Sequence, residues 1–242
     1  MERQNNDLSI REKDLLKEII ELYCQQEIPI SSLYLAKRLN YRFSPATIRN
    51  DFLSLTNKGY LKKIHSFSGR IPTNQGLRFY INYILREKLL EKTEKEFSQR
   101  IEKILFNFLK IKNQTNQLEE KIPEIIAQRC QSYSFFYSLK DGEIIAHGFR
   151  FLVREIENLE TDHLLELGKF LDNLEDILRN LRLEEEMNFF IGKENPYLKL
   201  EPLAMVVTLN KRKNKMLGLL GHKKILYFKN LAILKAGKKF ID

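Results

Sequence analysis

Residues 44–73, SPATIRNDFLSLTNKGYLKKIHSFSGRIPT, constrain this chain more than any other stretch. Ser44 followed by Pro45 is a helix start, because serine caps well and proline suits the first helical position. Ile48, Phe52 and Leu55 recur at i, i+4 and i+7 as one apolar face, and Gly59 fits a C-terminal stop. At about 100° per residue, Ala46, Thr47, Asn50 and Ser54 point away from that face. Arg49 flanks it, and Leu53 points outward with nothing in the pattern to bury it. After the stop, residues 61–71 read as two short strands around HSFSGR, too basic and too rich in Ser and Gly to be a core. A basic ribbon following a compact helix reads as a device for holding DNA.

The flanking segments complete the unit. Ser9 and Glu12 stand in capping-box register, and apolar residues recur with helical spacing from Leu15 to Tyr23. Pro29 marks a loop, a short helix begins near Ser31, and NYRF leads to Ser44. The order is helix, helix, helix, hairpin, which predicts a winged helix-turn-helix. Thr73 or Asn74 caps one more helix. Residues 1–90 form the first expected domain, and the charged run REKLLEKTEKEF leads to the second, residues 91–242.

That second region reads as α+β. Apolar residues from Phe97 to Ile111 repeat with helical period, which fits either packing on a twin or covering a sheet of its own chain. YSFFYSLKDGEIIAHGF alternates around Asp141-Gly142 and predicts a hairpin. Residues 159–181 predict one helix, capped at Thr161 or Asp162. MNFFIG, LAMVVTL and MLGLL predict strands, and residues 223–237 a closing helix.

Composition excludes several functions. No apolar run approaches the roughly 20 residues needed to span a bilayer, and the first residues lack the apolar stretch of a secretory signal, so a cytoplasmic protein without membrane contact is expected. The 2 cysteines are distant, and the 4 histidines show no ligand spacing, so neither a disulfide framework nor a metal site is indicated. No catalytic constellation is visible: Glu184, Glu185 and Glu186 read as a solvated run, and no cofactor is implied. The net charge of +9 is concentrated, with nine basic residues between Lys37 and Arg78 opposed only by Asp51. Such a field attracts polyanions. In a second basic run, from Lys211 to Lys239, NKRKNK reads as a solvated hairpin loop, with a further DNA contact as the sharper alternative.

Laid in a major groove, the helix after Ser44 offers Arg49 for guanine, Asn50 for adenine and Thr47 for a base or phosphate. Ser44 sits at the helix N-terminus, where a phosphate is favoured. Arg42, Lys62 and Lys63 suit phosphates. Gly69 allows a tight turn or a close approach, and His65 and Arg70 suit an adjacent minor groove. Phe67 at the ribbon tip reads as an anchor for the hairpin. A salt bridge from Arg49 to Asp51 is the competing structural reading.

LAKRL, SPATIRND, GYL, GRIPT and GLRFY occur here in an order and spacing that resemble the heat-inducible transcription repressor family, HrcA. Residues 44–51 match its recognition-helix motif, and residues 69–73 match its wing. The TIRND stretch alone is shared with DeoR-type regulators, and the GRIPT to GLRFY tail separates the two. HGFRFLVREIENLETDHLLELGKFLDNLEDIL and IGKENPYLKLEPLAMVVT resemble later parts of the family. His222, Lys223, Lys224 and Ile225 replace its GPTRM-type stretch, and residues 129–147 are a shorter run than usual. The resemblance implies a reduced GAF-like second domain and a homodimer on an inverted-repeat operator. It further implies repression of chaperone operons, with the GroE chaperonin as a folding partner. A DeoR-like metabolite sensor and a module without DNA binding are the other readings.

Overall fold

The computed structural model describes residues 8–26, 28–64, 69–87, 89–112, 118–156, 160–210 and 214–241. The chain divides into two compact units, Met1–Lys88 and Leu89–Asp242.

The first unit comprises α1 (Ile10–Gln26), α2 (Ser32–Arg38), α3 (Pro45–Asn57), strands β1 (Leu61–Lys63) and β2 (Arg70–Pro72), and α4 (Asn74–Arg86). The capping box forms in both directions: the Ser9 amide donates to Glu12 at 2.7 Å, and the Glu12 amide donates to Ser9 Oγ at 3.2 Å. Leu16, Ile19 and Ile20 of α1 are fully buried with Leu35, Ile48, Leu55, Leu77, Tyr80 and Ile84, so each helix contributes to one core. β1 and β2 pair antiparallel, Leu61 opposite Pro72. Ile30 bridges to Arg70 beside them, with both backbone hydrogen bonds at 2.9 Å.

α3 stops by a Schellman motif. The Tyr60 amide returns to the Leu55 carbonyl and the Gly59 amide to the Thr56 carbonyl, with Gly59 at φ +80°. A Cβ in the left-handed region costs about 1–2 kcal/mol. Gly59→Ala is therefore expected to lower the stability of this unit by that amount, read as an earlier thermal transition, because β1 leaves α3 at this residue.

The second unit is α+β. It runs α5 (Leu90–Lys112), α6 (Leu118–Cys130), β3 (Tyr133–Ser138), β4 (Ile144–His147), α7 (Phe149–Ile156), α8 (Thr161–Asp172), α9 (Leu174–Asn180), β5 (Met187–Ile191), β6 (Leu203–Asn210), β7 (Lys215–His222) and α10 (Phe228–Ile241). The sheet order is β4-β3-β7-β6-β5, every pairing antiparallel. One face carries Phe135, Tyr137, Met205, Val207 and Leu220 against Leu152, Leu167, Phe170 and Leu178 of α7, α8 and α9. α6 and α10 pack on the sheet, and α5 packs along α10.

Three expectations change here. The apolar and polar alternation expected around Asp141 does not describe β3, which is buried from Ser134 to Ser138. With helices on both faces, every position of an inner strand is interior. The helix expected over 159–181 is two helices, and its first residue is preceded by Glu160 at the cap, which makes no side-chain cap bond. The break is at Asn173, whose Nδ2 donates to the Lys169 carbonyl at 2.7 Å and competes with the helical ladder. The closing helix begins at Phe228, after a 3₁₀ turn over Lys223–Leu226.

The basic tail is largely answered inside its own unit. Lys215 meets Glu119 at 2.5 Å, Lys223 meets Glu201 at 2.7 Å and Lys238 meets Glu186 at 2.8 Å. Glu94 of α5, nearly inaccessible, sits between Lys235 at 3.2 Å and Lys239 at 2.6 Å, one turn apart on α10. Glu186 thus has a structural partner, which holds its carboxyl below the usual range. Residues 211–213 of the expected basic loop lie outside the described residues.

Candidate nucleic-acid interface

α2 and α3 are joined by a turn made of two consecutive left-handed residues, Asn40 at φ 49° and Tyr41 at φ 54°. The Tyr41 amide returns to the Ala36 carbonyl at 2.8 Å, which closes the end of α2 and redirects the chain. Asparagine tolerates this conformation, whereas tyrosine is unusual there. Ser44 then caps α3. Its Oγ accepts the Thr47 amide at 3.1 Å and lies 2.9 Å from Thr47 Oγ1. The hydroxyls of Ser44 and Thr47 thus hold the first turn together, with the helix's positive end beside exposed Arg42.

α3 buries Ile48, Asp51, Phe52 and Leu55. Ala46, Arg49, Asn50, Leu53 and Asn57 are exposed, and this i, i+3, i+4, i+7, i+11 series is a single stripe along the helix. What sets the stripe's direction is the first turn of α1. Arg11 reaches Asp51 at 2.7 Å, and Glu12 accepts from Lys58 Nζ at 2.9 and 3.0 Å and from Ser54 Oγ at 2.6 Å. Two ion pairs, one at the middle of α3 and one at its C-cap, fix its rotation as well as its position. Asp51 turns inward to Arg11, and among the described residues no group pairs with Arg49. The competing reading, a bridge from Arg49 to Asp51, is absent.

Glu12 is 6% exposed. Burial alone would raise its pKa, but hydrogen bonds from the Ser54 hydroxyl, the Ser9 amide, Lys58 and the Ser9 hydroxyl outweigh it and bring the carboxyl down to about 2. The charged form is therefore the one the fold requires. Capping-box spacing signals Glu12 as a local cap. Its reach to α3, like that of Arg11, has no signal in the sequence, because the partners are 40 to 46 residues away.

The ribbon is rooted as firmly as the helix. Gly69 faces Pro29 so closely that a Cβ would lie 2.8 Å from the Pro29 carbonyl carbon and its Cβ, which is why no side chain fits. The Arg70 backbone pairs with Ile30, and its guanidinium donates to Thr56 Oγ1 at 3.2 Å and to the Gly69 carbonyl at 3.3 Å. Arg70 thus ties the ribbon root to the last turn of α3. Lys62 and Lys63 of β1 are exposed. Arg42 lies over the Phe43 ring at 5.4 Å, with Arg11 at 6.0 Å from the same ring. His65 and Phe67 lie outside the described residues. Ser44, Thr47, Arg49, Asn50 and Arg42 gather along α3 and its N-terminus, while Gly69 and Arg70 build the ribbon root.

No helix among the described residues is long and apolar enough to cross a membrane. None of the clusters among them has the donors to hold a metal ion.

The chain is 36% identical over 93 residues to a heat-inducible transcription repressor HrcA of Chlorobium phaeobacteroides, an alignment spanning 38% of this chain and 26% of that one. Against the protein of the same name from Halalkalibacterium halodurans, identity is 36% over 102 residues, 40% of this chain and 30% of that one. The chain thus spans less than a third of the curated relatives it matches. A crystal structure titled as that of a hypothetical protein superposes with a TM-score of 0.71 over 96% of this chain and 97% of that chain, at 17% identity, which marks a shared fold. The family described as HrcA protein C terminal domain matches residues 69–230. A match across more than half of the 242 residues, from the ribbon root into the last helix, shows that the chain belongs to the HrcA family.

Proposed function

We propose that the chain is a sequence-specific DNA-binding repressor, with a winged helix-turn-helix over residues 1–90 and a reduced GAF-like domain over 91–242. One observation carries the reading: the outward stripe of α3 presents Arg49 and Asn50, and the helix's single acid is turned inward onto Arg11. A helix so prepared suits a major groove, where arginine and asparagine pair with guanine and adenine. Ser44, Thr47 and Arg42 at its N-terminus, with Lys62 and Lys63 on the ribbon, suit phosphates. Gly69 and Arg70 hold the ribbon, and His65, outside the described residues, belongs to the proposal as a minor-groove contact on its sequence position alone. The relatives' name, heat-inducible transcription repressor, supports repression; operators upstream of chaperone operons, bound by a homodimer as inverted repeats, with GroE assisting the folding of the repressor, complete the proposal.

The test is a binding titration of the full chain on an inverted-repeat duplex taken from upstream of a chaperone operon, against a scrambled duplex, over a range of salt. Specific affinity at least about 10³-fold above scrambled DNA is expected. Affinity should also fall steeply with salt, as phosphate contacts require. Equal affinity for both duplexes would overturn the reading. Sedimentation of the chain with and without the duplex tests the dimer.

A further inference from the structure

Leu53 is an anomaly in the stripe just described. It is 56% exposed, and the core of α3 is already supplied by Ile48, Phe52 and Leu55. It lies on the same face as Arg49 and Asn50, one turn further along the helix, with Asn57 beyond it. Its neighbours on the stripe, Ala46, Arg49, Asn50 and Asn57, are polar or small, so the stripe itself offers no apolar patch of the size a protein partner would bury. A single apolar side chain between base-reading polar ones has one natural counterpart in a major groove: the 5-methyl of thymine, the only apolar group that B-DNA displays there.

Resting on the DNA-binding reading above, we infer that Leu53 is a specificity-determining residue that contacts a thymine methyl of the operator. Three or four residues of helix advance about 4.5–6 Å. Base pairs are spaced about 3.4 Å apart. The thymine therefore lies one or two base pairs from those read by Arg49 and Asn50. Arg49 and Asn50 discriminate by hydrogen bonds, and Leu53 adds a preference of a different chemical kind, insensitive to salt and to hydrogen-bond geometry. The same side chain disfavours cytosine at that position, where C5 carries only hydrogen and the neighbouring C4 bears an amino group instead of a carbonyl oxygen.

The experiment begins with selection of duplexes by the full chain from a randomised library. Each thymine of the enriched sequence is then replaced, one at a time, by deoxyuridine, which removes the methyl and leaves every hydrogen-bonding group. With the native chain, one thymine per half-site is expected to show a loss of about fourfold in affinity, the size of one buried methyl. With Leu53→Ala, that deoxyuridine penalty disappears, while penalties for changing the base pairs read by Arg49 and Asn50 persist. The variant melts with the native chain, since the side chain is exposed. An enriched sequence whose deoxyuridine profile is flat, or is unchanged by Leu53→Ala, overturns this inference and leaves the DNA-binding reading standing. Failure to enrich any sequence overturns the DNA-binding reading, and the inference with it.

Discussion

Arg49→Ala lowers affinity for the specific duplex by about 5- to 150-fold, the equivalent of one bidentate base contact worth about 1–3 kcal/mol. Binding to scrambled DNA changes little, and discrimination at one base pair relaxes. The unmodified chain's melting temperature is retained, because among the described residues nothing pairs with Arg49 and its side chain lies on the exposed stripe. Lys62→Ala and Lys63→Ala are expected to behave differently. Each weakens binding to all sequences alike and reduces the salt slope by about one. Fluorescence anisotropy at several salt concentrations separates the two patterns. An Arg49→Ala protein that loses specific and non-specific affinity equally would remove Arg49 from base reading and leave it a phosphate contact.

Glu12→Ala should be strongly destabilising to the first unit although it touches no proposed DNA contact and no apolar core position. It takes away the carboxylate that Lys58 and Ser54 share, undoes half of the capping box of α1 and frees one end of α3. Removing one partner of a largely buried ion pair costs on the order of 3 kcal/mol. For a unit of this size that is a fall in melting temperature of more than about 10 °C. The pH dependence is specific. Folding lowers the Glu12 pKa from the ordinary 4.5 to about 2, so the unfolded chain binds the proton more readily. The stabilisation is fully present above pH 4.5 and is lost as pH falls through about 2. Glu12→Gln is already without it at neutral pH and loses this part of the acid sensitivity. Hydrogen exchange at the α3 amides between pH 2 and 6 reads the first unit alone. An unchanged acid profile in Glu12→Gln would show that Glu12 is not the group responsible.

Glu12 also marks the boundary of what could be read in advance. The start of α3, its stop at Gly59, the ribbon that follows and the cap at Thr73 are all encoded within a few residues, as hydrogen bonds between a side chain and a nearby amide or as a required backbone angle. Such signals are local, and they are legible. The orientation of α3 is set by Arg11 and Glu12 across 40 to 46 residues, and nothing in either sequence neighbourhood announces that pairing. Periodicity put Ala46, Asn50 and Leu53 on the outward face of α3, but it also put Thr47 and Ser54 there, which are half-buried with the Ser54 hydroxyl turned in to Glu12, and it set the exposed Arg49 only at the flank. The half-burial of Arg70 was not, since its hydrogen bond to Thr56 depends on how the ribbon folds back. In the second unit, strand existence was legible and strand order was not. The pairings of Lys215, Lys223, Lys235, Lys238 and Lys239 were hidden for the same reason, and of the described residues in the basic loop Lys215, which reads as solvated, proves to be paired. Asn173 is an intermediate case: its competition with the helix ladder is a known tendency of asparagine, hidden in a strongly periodic stretch.

The placement of β7 in the middle of its sheet has a consequence for how the chain is made. β3 is fully covered only when β7 lies beside it, and the Ser132 hydroxyl meets the Leu220 carbonyl 88 residues later in the chain. At synthesis rates of about 5–20 residues per second, that interval lasts roughly 4–18 s. During it Phe135, Phe136 and Tyr137, which end fully buried, have only the short β4 available as a neighbouring strand. The first unit has no such delay, since all its elements end by Arg86. The half that bears α3 can thus be finished on the ribosome while an apolar strand of the other half still waits for its partner. The moment of greatest exposure to wrong contacts is therefore written into the strand order, and it ends only when β7 arrives.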